Sequence, residues 1–250
     1  MTRLYRIGQI VPSSNITMET EIPAMLQARQ LIRPERFTFH SSRMRMKHVN
    51  KDELAAMDKE SDRCALELSD AQVDVLGYAC LVAIMAMGPG YHRQSQQRLT
   101  EVTRENNALA PVITSAGALV DALHIMGAKK IALVAPYMKP LTELVVDYIQ
   151  REGIEVKTWR ALEIADNLAV ARHDPGNLPG IIADMPTDDV DVIVLSACVQ
   201  MPSLPAVAKV EAQTGKPVIT AAIATTFALL NALELEPVVP GAGALLSGAW

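Results

Sequence analysis

The sequence predicts an α/β fold of two pseudo-symmetric lobes, each a mostly parallel sheet flanked by helices, with the active site in the cleft between them. Three observations lead there. Short apolar runs alternate with helical patterns along the chain, as in parallel sheets covered on both faces. Two strand sequences recur in the same order. The recurring strands end in proline or in cysteine, at the end where open α/β sheets bind their ligands. With 250 residues, half of them apolar, the chain can build such a core and is neither disordered nor a disulfide-stapled mini-domain.

Residues 6–12 form an apolar run stopped by Pro12. Ser13, Ser14 and Asn15 follow, then Glu19 and Glu21, which reads as strand, turn and helix start. Residues 37–46 read as extended. Residues 52–72 read as a surface helix, with Leu54, Met57, Leu66 and Leu68 set among charges. Residues 73–79 are a continuous apolar strand ending at Cys80, the pattern of a buried parallel strand. A polar helix at about 95–109, a strand at 111–114 and a helix at 117–126 ending at Gly127 come next. Then follow a strand at 130–136, a helix at 141–152 with Gly153 past its end, and a strand at 155–159. A short helix at 179–185, an apolar strand at 191–197 ending at Cys198, a strand at 217–221 and a helix at 224–233 complete the order.

The repeat is internal. Arg6-Ile-Gly-Gln-Ile-Val-Pro12 resembles Lys130-Ile-Ala-Leu-Val-Ala-Pro136, 124 residues on. Val73-Asp-Val-Leu-Gly-Tyr-Ala-Cys80 resembles Val190-Asp-Val-Ile-Val-Leu-Ser-Ala-Cys198, with the cysteines 118 residues apart. We therefore expect one lobe at 1–116 plus 217–250 and the other at 117–216.

Charge and cysteine content narrow the partners. Lys and Arg number 23 against 28 Asp and Glu, a net charge of −5, so the basic excess of a nucleic-acid reader is missing. Residues 1–7 show no apolar signal region, and the longest apolar run, 75–87, is short of the roughly 20 residues of a membrane span. Cys64, Cys80 and Cys198 form neither an even framework nor a C-x-x-C pair, which suits reduced thiols in the cytoplasm. His40, His48, His92, His124 and His173 show no metal-ligand spacing, so we expect no metal and no other cofactor.

Lobes facing each other across a pseudo-twofold axis bring Cys80 and Cys198 to one cleft from opposite sides. Each sits at a strand-to-helix turn, where free backbone N–H groups favour a thiolate and bind anions. The bland alternative is a buried, inert thiol, the commonest state of a free cysteine. Placement at the same strand end in both repeats argues against it, whereas Cys64 lies within a helix pattern and reads as packing. Along residues 41–48, Arg43, Arg45 and Lys47 share one strand face, either a solvated edge or a stripe that steers anions or meets a partner.

These residues resemble the aspartate/glutamate racemase superfamily and, within it, the maleate cis-trans isomerase family. The Pro12-Ser13-Ser14-Asn15 turn with Thr17-Met18-Glu19 is similar to that family's N-terminal signature. Gly77-Tyr78-Ala79-Cys80-Leu81-Val82-Ala83-Ile84-Met85 is similar to its first cysteine motif, and Ser196-Ala197-Cys198-Val199 to its second. The resemblance covers essentially the whole chain. It implies cofactor-independent isomerisation of maleate to fumarate through a covalent succinyl-cysteine-like intermediate. Cys80 would be the nucleophile and Cys198 the proton donor and acceptor. Ser14, Asn15, Leu81, Val82, Tyr137, Asn167 and Val199 would contact a small dicarboxylate. It further implies a homo-oligomer, dimer or larger, serving the breakdown of nicotinate-like rings.

Departures from sister enzymes sharpen this. In that superfamily amino-acid racemases usually carry small polar residues after the first cysteine, where this chain has Leu81 and Val82. Glutamate racemases carry a histidine after the second, where Val199 and Gln200 stand, and arylmalonate decarboxylases keep only one of the two thiols. The alternatives are a racemase of a small amino or hydroxy acid, and a non-catalytic solute-binding module, which would have no use for two strand-end thiols. Asn15 also reads as a helix cap, Asn167 as a turn residue and Tyr137 as a surface tyrosine.

Overall fold

In the computed structural model, which describes residues 3–250, the apolar runs become two four-stranded parallel sheets. Met1 and Thr2, the start of the polar N-terminal segment, lie outside the described residues. The chain begins with β1 (Leu4–Pro12), α1 (Met18–Arg29), β2 (Arg36–Met44), α2 (Lys51–Lys59), α3 (Ser61–Asp70), β3 (Val75–Tyr78), α4 (Leu81–Ala86), α5 (Tyr91–Glu105), β4 (Val112–Thr114) and α6 (Ser115–Ile125). It continues with β5 (Lys130–Ala135), α7 (Lys139–Arg151), β6 (Glu155–Ala161), α8 (Asn167–Ala171), α9 (Leu178–Ala183), β7 (Val192–Ser196), α10 (Leu204–Thr214), β8 (Val218–Thr220) and α11 (Ala221–Ala232). Strand order is β2-β1-β3-β4 in one sheet and β6-β5-β7-β8 in the other, the same order twice.

The repeat extends to single hydrogen bonds. Asp74 N–H donates to Arg6 O at 2.8 Å and Asp191 N–H to Lys130 O at 2.8 Å, while both carboxylates accept from the partner strand's backbone. At the other end Ala79 N–H donates to Ile10 O and Ala197 N–H to Val134 O, each at 2.9 Å. Those last bonds hold both cysteine strands against the prolines at the ends of β1 and β5. The Thr114 and Thr220 hydroxyls accept from Gly117 and Ile223 N–H, each at 3.1 Å, capping α6 and α11. Both central strand pairs are buried on both faces, as their continuous apolar sequence requires.

Three differences from the sequence reading have local causes. The helix expected over 52–72 breaks into α2 and α3 at Glu60. The Asp58 carbonyl there accepts from Ser61 Oγ at 2.6 Å and meets an Arg98 amino group at 3.5 Å, so side chains compete for an acceptor in the backbone ladder. Helices α4, α8 and α10 are not predicted from sequence; α4 is six apolar residues, five of them buried, and cannot be told from a strand by periodicity. The expectation that 217–250 lies wholly with the first lobe needs correction. β8 is hydrogen-bonded to β7 and belongs to the second sheet, and the return begins with α11. That helix packs on α6, α1 and β3, where Gly77 lets Met18 and Leu229 close over the strand.

Polar contacts fasten the lobes. Glu21 of α1, buried, accepts from Ser203 and Leu204 N–H at the start of α10, at 2.6 and 2.7 Å. His92 of α5 pairs with the Tyr148 hydroxyl of α7 at 2.5 Å, and Arg93 makes a bidentate pair with Glu152 just past the end of α7. No helix among the described residues is long and apolar enough to cross a membrane.

Candidate active site

Between the lobes, the ends of β1, β3, β5 and β7 meet around one narrow cavity. Cys80 enters from the first lobe between β3 and α4. Its backbone has φ 100° and ψ 71°, a left-handed conformation that costs a residue with a Cβ about 1–3 kcal/mol and persists only where the surroundings enforce it. Cys198, at the matching end of β7, has no such strain. Thus the two cysteines are equivalent in the repeat but not in conformation.

Their electrostatics also differ. Burial pushes the Cys80 thiol up to about 12, opposed by the Ala83 amide and reinforced by charge on Cys198 and Asp58. Burial raises Cys198 as well, but against more hydrogen-bond donors: the Tyr137 hydroxyl and the Gln200 and Met201 amides, Gln200 N lying 3.4 Å from the sulfur. Tyr137, buried beside both sulfurs, has one hydroxyl proton to give, either to the Cys198 sulfur or to Ala197 O at 3.1 Å. An anion on Cys198 is therefore better supported than one on Cys80.

The turn after β1 supplies Asn15. Its Oδ1 accepts from Thr17 and Met18 N–H, both at 3.0 Å, which caps α1 and leaves the Nδ2 donors toward the cavity. One side chain thus caps α1 and lines the cavity. Arg43 braces this turn from β2, donating to Ser13 O and Asn15 O at 3.0 Å each and pairing with Glu19. It supports the turn while lying, with Arg45 and Lys47, on the exposed face of the segment. Asn167 opens α8, capped by Asp166, and donates to Ser14 Oγ at 2.8 Å across the lobe junction.

Of the residues singled out from sequence, Asn15, Cys80, Val82, Tyr137, Asn167, Cys198 and Val199 line the cavity together. Ser14 and Leu81 stand behind the lining, Ser14 holding Asn167 and Leu81 buried at the start of α4. Cys64 is buried in α3, away from the cavity. Four lining residues escaped the sequence reading: Pro12, Met46, Val49 and Gln200. Met46 and Val49 lie on the segment 45–50, which covers the cavity and is tied down by a bridge between His48 and Asp166. The lining contains no Asp, Glu, Lys, Arg or His side chain. Nor does any cluster of three His, Cys, Asp or Glu with metal-binding geometry occur among the described residues.

A family model described as arylmalonate decarboxylase matches residues 7–246. A maleate isomerase of Pseudomonas putida is 81% identical over 250 residues, all of both chains. A crystal structure of a maleate isomerase cysteine-to-alanine variant from Pseudomonas putida S16 with maleate superimposes with a TM-score of 0.98 at 73% identity, covering 98% of each chain. A cysteine-to-serine mutant of the Nocardia farcinica maleate cis-trans isomerase, holding a covalently bound succinylcysteine intermediate, matches with a TM-score of 0.95 at 44% identity, covering 99% of this chain and 100% of that one. With such identity running from end to end, and both cysteines in one cavity, the chain belongs to the arylmalonate decarboxylase family and, within it, to the maleate isomerases.

Proposed function

We propose that this enzyme converts maleate to fumarate without a cofactor, through a covalent succinylcysteine-like intermediate formed between its lobes. One observation carries the reading. Two thiols from opposite lobes share one cavity whose walls are apolar and whose polar groups are amides and a hydroxyl. A dianion needs donors, and Asn15 Nδ2, the Asn167 amide and the first N–H groups of α4, near Leu81 and Val82, offer them. Val199 and Val82 wall the cavity, and the Tyr137 hydroxyl can turn from Ala197 O to substrate. An amino acid would also need a carboxylate for its ammonium group, and the lining has none; this separates the reading from a racemase. The bound maleate and the succinylcysteine of the two structural relatives support the same chemistry here.

The double bond of maleate cannot rotate, so it must briefly become single. In our mechanism the fraction of Cys198 present as thiolate takes the Cys80 proton, and the Cys80 sulfur attacks one alkene carbon. The π pair moves to the other alkene carbon, which takes the proton back from Cys198, leaving S-succinyl-Cys80. The new single bond rotates. Cys198 thiolate then removes a proton from the same carbon, the C–S bond breaks, and fumarate leaves as Cys80 recovers its proton. No charge or proton is gained or lost over the cycle. A thiolate of higher pKa is the better nucleophile once formed, which suits Cys80 to attack and Cys198 to proton transfer. Ultraviolet absorbance or proton NMR of maleate solutions tests the function; fumarate should accumulate. Silence on maleate with racemisation of a small amino or hydroxy acid would overturn it.

Alkylation tests the thiols separately. Because Cys80 is held near 12, iodoacetamide should label it slowly at neutral pH, and about tenfold faster for each pH unit up to about 11. Maleate should protect. Peptide mass spectrometry that found Cys64 alone modified as activity fell would move the site elsewhere. We read the enzyme as cytoplasmic, where its three free cysteines stay reduced, and as a homo-oligomer whose contact covers the apolar α6–α11 face around the half-exposed Ile125. Light scattering that gave the mass of a single chain would refute the latter.

A further inference from the structure

Asn15 and Asn167 come from opposite lobes, and their separation decides whether they grip the two ends of one small diacid. No covalent bond sets that separation. The side chain of Gln200 spans it. Gln200 lies two residues past Cys198 on the second lobe and is 2% exposed. Its Oε1 accepts from Ile16 N–H at 3.0 Å and Thr17 N–H at 3.4 Å, in the first-lobe turn that carries Asn15. Its Nε2 donates to Ser14 O at 2.8 Å in that same turn and to Asn167 O at 2.9 Å in the second lobe. A carboxamide has two donors and one oxygen with two lone pairs, so all four are spent and none is left for substrate.

We propose that Gln200 is a positioning residue, which fixes the spacing of Asn15 and Asn167 across the cavity and so the length of diacid the enzyme accepts. This rests on the reading of the cavity as a diacid site. Few replacements preserve it. Asparagine is one methylene short. Methionine has the length but leaves Ser14 O, Asn167 O, Ile16 N–H and Thr17 N–H without their partner. Glutamate has the shape but faces two carbonyl oxygens with negative charge. The fold does not depend on this side chain alone, because Glu21 fastens the same 198–204 turn to the first lobe through Ser203 and Leu204, and α5 meets α7 separately.

Two variants test it in the full-length enzyme with maleate. For Gln200→Met, a misplacement of donors by about 1 Å should cost about 10²-fold in kcat/KM, most of it as a raised KM. Iodoacetamide, which needs no carboxylate grip, should alkylate Cys80 at a rate within about twofold of the parent. For Gln200→Glu, activity should be lost at neutral pH and recover in part as the pH is lowered, since a protonated carboxyl regains one donor for Ser14 O or Asn167 O. The parent, whose cavity-lining titrating groups are Cys80, Cys198 and Tyr137, should only lose activity over that range. Values of kcat/KM within about threefold of the parent in both variants would overturn the assignment. So would a fall in kcat alone with no recovery of Gln200→Glu in acid. If Gln200→Met does not fold, the acid recovery of Gln200→Glu decides. Failure of the diacid reading would show instead as a parent inactive on maleate.

Discussion

Cys80→Ala abolishes turnover: fumarate formation falls by about 10⁵–10⁶-fold, the loss expected when an enzyme's nucleophile is removed. Several features put the weight on this residue. Its sulfur is one of two in the cavity, and the other is occupied as an acceptor for Tyr137 and two backbone amides. Its backbone is held at φ 100°, and its side chain lines the cavity. A companion variant tests whether that backbone is strained. Cys80→Gly, free of Cβ strain, should melt at or above the temperature of Cys80→Ala while being equally inactive. Turnover within about tenfold of the parent in either variant would remove covalent catalysis at Cys80. A glycine variant far less stable than the alanine variant would mean that the backbone there is not strained.

Much of this architecture is written in local runs of residues. Four-to-seven-residue apolar runs gave the strands, and the sequence repeat paired β1 with β5 and β3 with β7 before any sheet order was known. Cys80 and Cys198 were legible because the repeat placed both at the same end of matched strands. Gln200 was not legible. Its partners Ser14, Ile16, Thr17 and Asn167 lie 33 to 186 residues away, and all four are engaged through backbone atoms, which leave no mark in a side-chain pattern. Arg43 was hidden for the same reason, since its bonds to Ser13 O and Asn15 O look, in sequence, like an exposed strand arginine. Met46 and Val49 follow the end of β2, in a segment whose fold over the cavity depends on a bridge to a residue in the other lobe. Leu81 is expected at the substrate from the resemblance and through its backbone N–H, which stays at the start of α4. The helical geometry of α4 turns its side chain into the core and leaves Val82 at the wall.

Cys198→Ala should separate the two half-reactions. Loss of a general acid and base typically costs about 10²–10⁴ in rate, so turnover should fall by that factor but not to background. The four proton transfers that Cys198 serves are not equally hard to replace, and a carbanion formed at the alkene carbon can take its proton from water. Removing the proton of the Cys80 thiol, near 12, is within reach of hydroxide or of the substrate's own carboxylate. Removing a proton from carbon beside a carboxylate is not. Addition therefore outlasts elimination in this variant, and S-succinyl-Cys80 should accumulate. Intact-protein mass spectrometry after soaking with maleate reads the result directly: a gain of one maleic acid on Cys198→Ala, and none on Cys80→Ala. The adduct should form faster as pH rises, because the thiolate of Cys80 has to be generated without its partner. The reverse pattern, with the adduct on Cys80→Ala alone, would exchange the two roles. It would mean that the hydrogen bonds on the Cys198 sulfur prepare a nucleophile, with the strained Cys80 left to carry protons. An adduct on neither variant would leave the covalent route without support.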